Sequence, residues 1–419
     1  MKQLAPLSAT PPPSTPVVGA LVSATGPGKE AMHPLLPIMR NGLDPHEELG
    51  RLRHEHPVVA FPMLGLGKAW LVTRHEDVRA VLGDAGTFGN ELSLARDVTM
   101  PHTAGQWRPG GLGFHDSPVH TRRRRLLAPA FRTRVIRDMA RRLEDIVATQ
   151  LERMAQAGPP ADLVRALAEP VASAVMSELI GVPDADRRAT GSGRFDLSGE
   201  LGTSIAAADR SLEDVVELVA RQRAGRRAGL LGRLISEHGD QLDDRELAGL
   251  IDGLLTGGLG TTASMIATGC LVLLRDDRLV TSLRREDAPI DRLLDELLRY
   301  VCVAQLAFPR FARRDVILRG QRIRAGDAVF CSLPTANRDP ALGTDMDEVD
   351  PHRRTTAHLA FGFGVHRCLG APLARLEMRV VFPALLRRFP GIRLAVPAER
   401  IEFKRFSVIH GVESLPVTW

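Results

Sequence analysis

One cysteine in a glycine-rich segment carries the clearest chemistry in this sequence. The segment Phe361–Gly370 reads Phe-Gly-Phe-Gly-Val-His-Arg-Cys-Leu-Gly, and Pro372 then favours the start of a helix, where a proline costs little. Cys368 would lie near free backbone N–H groups and the positive end of the helix dipole, which favour a thiolate. Such a thiolate is a metal ligand or a nucleophile. Gly362 and Gly370 would let a broad, flat group approach the backbone.

Simpler interpretations of Cys368 are available from the residue type alone. A lone cysteine is often a small buried hydrophobic residue. Zinc binding by His366 and Cys368 is disfavoured, because no second Cys/His pair follows at the spacing of a zinc site.

A second unusual feature is a glycine cluster inside a long apolar pattern. Residues Asp243 to Leu274 are predicted to form one helix, with Asp243 and Glu246 as a capping box. In its middle stands Gly-Gly-Leu-Gly-Thr-Thr, residues 257–262, where each glycine lowers helix stability. A bulky group lying against the backbone would explain this cost. A phosphate-binding loop is the competing interpretation, but no Gly-Lys-Ser/Thr follows.

Composition excludes several classes of protein. The chain has 419 residues, 44% of them hydrophobic, and its four scattered cysteines do not suggest a disulfide framework. No apolar run approaches the length of a membrane span, and no signal segment precedes the first helix, so a soluble cytoplasmic protein is expected. The net charge of +5 is carried mainly by arginine, and with only 4% aromatic residues the chain lacks the pattern of a nucleic-acid-binding protein.

The order of predicted elements indicates a single folded unit. Residues 1–35 are rich in Pro, Ser, Thr and Gly and are predicted to be a disordered or loosely docked tail. Residues 36–419 are predicted to form one domain, with helices through the centre and short strands towards both ends. The fold class is therefore α+β, mainly α.

The cysteine segment is similar to the haem-binding loop of the cytochromes P-450, and it contains every position of that pattern. The resemblance implies the fold of that family, a helix-rich globule with small sheets and haem b between a long distal helix and the cysteine-loop helix. Cys368 would be the axial ligand of the iron. Residues 257–262 resemble the distal helix of the family, in which Thr261 would contact the iron-bound dioxygen. The family's acidic residue before this threonine is Gly260 here.

Other segments match the family in the expected order. Glu296 and Arg299, three residues apart, resemble its structural core pair, although this spacing alone is more often a solvated surface pair. The positions implied to bind the haem are His120, Arg124, Arg310, His358, Phe361, Gly362, Cys368 and Gly370. The implied substrate pocket includes parts of 90–110 and 195–210, together with Leu254, Gly257, Ala304, Leu306 and Val408.

The resemblance also implies a function. We expect an oxidoreductase that activates dioxygen to oxidise a bulky, largely hydrophobic specialised metabolite in a biosynthetic tailoring step. Because Gly260 replaces the acid, oxidative coupling, cyclisation or desaturation without oxygen insertion is the main alternative. A non-catalytic haem-fold partner protein is a further alternative. The expected partners are the substrate, dioxygen and a ferredoxin-type electron donor with its reductase, which could bind the basic side chains Arg122, Arg123, Arg125, Arg132 and Arg367. No nucleic acid or membrane partner is expected.

Overall fold

The structure of the protein is a computed structural model. It describes residues 32–63, 67–96, 111–182, 201–225, 227–285, 289–353 and 357–419, with the backbone alone for 201–211. Most of the predicted tail, residues 1–31, lies outside the described residues.

Helices form most of the described chain. They are α1 (Glu47–Glu55), α2 (His75–Gly83), α3 (Val119–Leu127), α4 (Thr133–Asp138), α5 (Ala140–Ala157), α6 (Glu169–Ile180), α7 (Leu201–Ala224), α8 (Gly229–His238), α9 (Asp244–Leu274), α10 (Asp277–Arg285), α11 (Ile290–Val301), α12 (Leu333–Asn337) and α13 (Ala371–Arg388).

Short strands form small sheets beside these helices. They are β1 (Arg40–Asn41), β2 (Asp44–Pro45), β3 (Val58–Met63), β4 (Gly67–Val72), β5 (Phe88–Gly89), β6 (Ala161–Asp162), β7 (Arg310–Ala312), β8 (Val316–Leu318), β9 (Gln321–Ile323), β10 (Ala328–Cys331), β11 (Arg393–Leu394) and β12 (Pro416–Thr418). The largest sheet has the order β3-β4-β10-β7-β5, in which β10 pairs parallel to β4 and the other neighbours are antiparallel. A three-stranded sheet, β11-β12-β6, joins the C-terminal end of the chain to its middle.

Helix α9 is the central element of the fold. It runs unbroken through the glycine cluster, and the Asp243 side chain caps its start by accepting a hydrogen bond from the Glu246 N–H at 2.7 Å. The predicted helix and its cap are therefore confirmed. Contrary to the expectation from composition, α9 is long and apolar enough to cross a membrane, but most of its apolar stretch is buried inside the protein. It packs against α6, α7, α11 and α13, as expected of a core helix.

Helix α9 and the cysteine-loop helix α13 belong to the same hydrophobic core. The largest core cluster reaches from Leu43 near the start of the domain to Val417 near its end. Two smaller clusters lie around the five-stranded sheet. The predicted mainly helical α+β class is confirmed.

Candidate functional site

The cysteine loop has a fixed backbone path that turns back on itself before α13. The Cys368 N–H donates to the Phe361 carbonyl at 2.8 Å. Gly362 and Gly364 adopt φ angles of +66° and +74°, which side chains other than glycine rarely adopt. A Cβ atom at Gly364 would also overlap the carbonyl oxygen of Leu82 in α2. The glycine spacing therefore holds the loop against α2 and positions Cys368 just before α13.

The protonation of Cys368 reflects two opposing effects. Burial among protein atoms raises the pKa of the thiol, although the residue as a whole is exposed. Hydrogen bonds from the Gly370 and Ala371 N–H groups and the charges of Arg124 and Arg367 lower the pKa, as the helix start predicts. Burial is the larger effect, so the helix start does not produce a thiolate by itself. A bound metal cation would reverse this balance, because it stabilises the deprotonated sulfur directly.

A histidine–arginine cluster, formed by His120, His366, Arg124 and Arg310, lies beside the cysteine loop. The rings of His120 on α3 and His366 in the loop have centroids 4.1 Å apart. Burial and the charges of Arg310 and His120 lower the pKa of His366 to about 4. Arg124 reaches the loop by donating to the Arg367 carbonyl at 2.9 Å. Three of the predicted haem contacts, His120, Arg124 and Arg310, thus lie close to the loop that carries Cys368.

This histidine–arginine cluster fits a cofactor that carries carboxylates. His120 is 4% exposed, and its Nε2 atom has no hydrogen-bond partner among the described residues. Arg310 is 3% exposed and its Nη1 atom donates to the Phe308 carbonyl. Asp116 is the carboxylate beside these groups, with its Oδ1 atom 3.7 Å from His366 Nε2. The carboxylates of a cofactor would provide further anionic partners for the two arginines and a partner for His120 Nε2. A haem would fit both the position of Cys368, which would hold the iron, and the histidine–arginine cluster, which would bind the propionates.

Two histidines differ from the sequence interpretation. The sequence pattern disfavours His366 as a zinc ligand and gives it no other role, yet the structure places it in the histidine–arginine cluster. Its position two residues before Cys368 was the available signal. His358, by contrast, is not placed in the cluster, because its ring nitrogens face the Ala360 N–H on one side and Asp295 and Arg375 on the other. We therefore do not retain His358 as a propionate ligand.

The distal helix presents Thr261 and two glycines to open space. The Thr261 Oγ1 donates to the Gly257 carbonyl at 2.6 Å, as expected for a hydroxyl that bonds back along a helix. A Cβ at Gly257 or Gly260 would meet no atom within 4 Å, whereas one at Gly258 would lie 2.8 Å from the Met176 sulfur. Gly258 therefore serves the packing of α9 on α6, and Gly257 and Gly260 leave room along the helix.

Glu296 and Arg299 form a buried ion pair on α11. Both side chains are 0% exposed, and the Arg299 Nη2 atom lies 2.7 Å from the Glu296 Oε1 atom. The remaining guanidinium hydrogens donate to the carbonyls of Asn337, Met346 and Glu348. The alternative of a solvated surface pair is therefore excluded. The spacing alone could not show this, because burial depends on the segment 337–350 that covers the pair.

The predicted pocket residues lie on two adjacent segments and on α9. Residues 303–306 run antiparallel to 407–410, with hydrogen bonds from Gln305 to Val408 and from His410 to Val303. Gln305 and Ser407 are buried, whereas Ala304, Leu306 and Val408 are partly accessible. Leu254 is also partly accessible. Of the other predicted pocket segments, residues 97–110 and 195–200 lie outside the described residues, and for 201–210 only the backbone is described.

This fold, with a cysteine loop beside a buried histidine–arginine cluster and a long helix that carries the glycine cluster, is that of a haem-thiolate oxidoreductase. Comparison with known proteins gives the same class. The family model described as Cytochrome P450 matches residues 208–398. Cytochrome P-450 165B3 of Amycolatopsis orientalis is 40% identical over 92% of this chain and 98% of its own length.

Two further similarities represent different reactions. Mycinamicin IV hydroxylase/epoxidase of Micromonospora griseorubida is 39% identical over 90% of this chain and 96% of its own. The crystal structure of OxyC, a cytochrome P-450 implicated in an oxidative C–C coupling reaction during vancomycin biosynthesis, is 36% identical with a TM-score of 0.80. The aligned region covers 91% of this chain and 95% of the OxyC chain.

The chain belongs to the cytochrome P-450 family. The predicted family, fold and enzyme class are confirmed, and the cofactor of this family is a haem with an axial thiolate. The alternative of a non-catalytic partner protein is not supported, since the relatives include monooxygenases and coupling enzymes.

Proposed function

We propose that this protein uses haem b ligated by Cys368 to activate dioxygen and oxidise a bulky, largely hydrophobic specialised metabolite in a tailoring step. The observation that carries the proposal is the position of Cys368, whose N–H donates to the Phe361 carbonyl next to the histidine–arginine cluster. Phe361, Gly362 and Gly370 would shape the surface against the porphyrin, and His120, Arg124, Arg310 and His366 would bind its propionates. When bound, the haem would supply the reductive activation of dioxygen, and Cys368 would hold its iron.

Spectroscopy of the purified holoprotein tests the ligand. The reduced, carbon monoxide-bound protein should show the red-shifted Soret band of thiolate ligation, and Cys368→Ala should lose it. Cys270→Ala is a matched control, because this cysteine is buried in the hydrophobic core near the C-terminal end of α9. Retention of the band by Cys368→Ala would refute the assignment. The spectrum of the extracted pigment in alkaline pyridine distinguishes haem b from other haems.

The substrate proposal depends on the character of the predicted pocket positions. Leu254, Gly257, Ala304, Leu306 and Val408 are all small or apolar, so the ligand would be held by shape with few polar anchors. A library of hydrophobic and hydrophilic compounds should be screened for substrate-induced shifts of the haem spectrum. We expect bulky hydrophobic compounds to bind tightest. A small hydrophilic acid as the only tight ligand would contradict the proposal.

Proton supply to the reacting oxygen should differ from that in relatives with an acid at position 260. The Thr261 hydroxyl hydrogen is already donated to the Gly257 carbonyl, so its lone pairs remain free to accept a hydrogen bond. Gly260 offers no carboxylate, and a donor to Thr261 must be water or the substrate itself. We propose that loss of a second hydrogen from the substrate then competes with oxygen insertion. In that case two electrons from the donor, two protons and two hydrogens from the substrate reduce dioxygen to two waters, and no oxygen atom is transferred. Oxidative coupling is thus the specific alternative to hydroxylation or epoxidation.

Labelled dioxygen and two variants separate these reactions. Gly260→Asp is a suitable variant, because a Cβ there meets no atom within 4 Å, and Gly260→Asn has the same shape without an acid. If proton supply controls the outcome, Asp but not Asn should increase incorporation of labelled oxygen. Full incorporation by the unaltered protein, with no change in the Asp variant, would exclude coupling and leave Gly260 as a tolerated difference.

We further propose that an acidic ferredoxin binds the basic surface formed by Arg125, Arg132 and Arg367, and that the protein works in the cytoplasm. The predicted Arg122 and Arg123 are not part of this proposed surface. Arg122 forms an ion pair with Glu246, and the Nε and Nη1 atoms of Arg123 are buried. Arg125, Arg132 and Arg367 are exposed and have no ion-pair partner within the described parts of the chain.

Electron transfer tests this surface. We expect Arg125→Glu with Arg132→Glu to raise the KM for a surrogate acidic ferredoxin about tenfold at low salt, with a weaker effect at high salt. Arg165→Glu, an exposed residue beyond β6, is the control. An equal rise in the KM for ferredoxin in the double variant and in Arg165→Glu would contradict the proposed ferredoxin-binding surface.

A further inference from the structure

His358 has a defined set of partners beneath the cysteine loop. It is 5% exposed, and its Nδ1 atom accepts from the Ala360 N–H at 3.2 Å. The proton of the neutral ring therefore lies on Nε2, which faces Asp295 Oδ1 at 3.5 Å. Asp295 also forms an ion pair with Arg375 Nη1. The Arg375 Nη2 atom is 3.3 Å from His358 Nε2, but both groups are donors in this tautomer, so the carboxylate between them is their common acceptor. Asp295 thus binds both the imidazole and the guanidinium.

The three residues come from separate elements that surround the loop. Asp295 lies on α11, directly before Glu296, and Arg375 lies in the second turn of α13. His358 precedes the loop itself. The three side chains therefore link the segment that precedes the loop to helices α11 and α13.

The same side chains contact Phe361. Its ring centroid is 5.9 Å from that of His358, and the Arg375 guanidinium carbon is 5.5 Å from it. The Phe361 carbonyl in turn accepts the hydrogen bond from Cys368. A displacement of Phe361 would therefore move the backbone that holds the sulfur.

We propose that Asp295, His358 and Arg375 form a positioning cluster that fixes Phe361, and through it the geometry of the Cys368 thiolate towards the iron. The inference rests on the proposed haem-thiolate function. None of the three is a catalytic residue in this proposal, because they act through Phe361. Residues around metal ligands that orient them typically alter metal binding or activity about 10–100-fold when replaced.

A second ion pair between α11 and α13 makes it possible to distinguish a role in positioning Phe361 from a role in holding the two helices together. Asp291 and Arg379 join the same two helices, one turn earlier on α11 and one turn later on α13, and are 56% and 47% exposed. The described contacts of this pair include neither His358 nor Phe361. If the cluster only tied α11 to α13, loss of either pair would have the same effect on the haem.

The experiment compares Asp295→Asn and His358→Phe with Asp291→Asn as holoproteins. The readouts are the rate at which the reduced carbon monoxide complex loses its red-shifted Soret band, the reduction potential and the thermal unfolding midpoint. We expect both cluster variants to lose the band about tenfold faster than the unaltered protein and to shift the potential. Asp291→Asn should change neither property.

Each outcome decides between the alternatives. Unchanged band lifetime and potential in Asp295→Asn, or equal changes in Asp291→Asn, would overturn the positioning role. Absence of the red-shifted band in the unaltered protein would instead refute the proposed function itself. If Asp295→Asn fails to bind haem, Arg375→Lys replaces it, since lysine keeps the charge but lacks the planar group beside Phe361. An unchanged band lifetime and an unchanged reduction potential in Arg375→Lys would also overturn the proposal.

Discussion

Glu377 on α13 is a carboxyl group in surroundings that do not favour its charge. The residue is 2% exposed, and its Oε2 atom has no hydrogen-bond partner among the described residues. Burial raises its pKa well above the ordinary value of 4.5. The folded protein therefore holds a proton that the unfolded chain releases, and its stability falls as pH rises from about that ordinary value towards the raised pKa.

We predict that Glu377→Met stabilises the protein at neutral pH by about 1–3 kcal/mol, because it removes a poorly satisfied polar group from the core. The gain should shrink as pH falls towards the ordinary pKa, where the carboxyl is neutral in both states. Thermal unfolding of the holoprotein at several pH values measures this. A gain that is independent of pH would show that the charge of Glu377 is not the cause.

Two loop glycines provide a second comparison at this scale. Both have positive φ, but a Cβ at Gly362 meets open space whereas one at Gly364 overlaps the backbone of Leu82. Gly362→Ala should cost about 1–2 kcal/mol for the left-handed conformation alone. Gly364→Ala should cost about 1–3 kcal/mol more and weaken haem retention, since backbone cannot move aside easily. Chemical unfolding and haem transfer to apomyoglobin are the measurements. Equal costs would contradict the predicted contact with α2.

At the scale of elements, helix α11 is anchored by the Glu296–Arg299 pair. Burial opposes ionisation of Glu296, but the hydrogen bond and charge of Arg299, the Asp350 N–H and the Arg353 side chain outweigh it. The pKa of Glu296 is lowered as a result. A carboxylate with a depressed folded pKa stabilises the protein above its unfolded pKa of about 4.5, and this contribution disappears as pH falls through the folded value.

We predict that Glu296→Gln destabilises the protein by about 3–5 kcal/mol at neutral pH, because it leaves Arg299 charged and unpaired in the core. Glu48→Gln in α1 is the matched control. Glu48 and Arg51 have the same spacing, but their side chains are 34% and 53% exposed, and no measurable change is expected. Unfolding in urea measures both. The difference between the unaltered protein and Glu296→Gln should narrow below pH 4.5.

At the scale of the whole molecule, the domain boundary depends on the first apolar contacts. Leu36 and Pro37 are buried, and Leu36 packs in the cluster that includes Leu49 and Phe61. The predicted boundary between residues 35 and 36 therefore falls just before the first buried side chains. The large core cluster then includes residues from both ends of the domain, which favours a single cooperative unit.

Two truncations test this boundary. Removal of residues 1–31 should leave the unfolding midpoint and haem content unchanged. Removal of residues 1–38 should destabilise the protein by about 2 kcal/mol or more, because the buried Leu36 is lost. Calorimetry should show one transition in each case. A large loss of stability on removal of residues 1–31 would refute the predicted tail.

The sequence by itself determined the features that depend on neighbours within one element. The cysteine loop, the start of α13 at Pro372 and the Asp243 cap of α9 follow from glycine, proline and capping preferences, which act over a few residues. The identity of the family follows from the same local patterns.

Tertiary structure alone decided which of these side chains are buried and what they contact. Glu296 and Glu48 each pair with an arginine three residues later, yet only Glu296 is covered by a segment distant in sequence. His358 and His366 both lie near Cys368 in sequence, but His358 Nε2 faces Asp295 on α11 and Arg375 on α13, whereas the His366 ring lies against His120. Burial and charge pairing depend on elements far apart in the chain, and residue spacing within one element contains no record of them.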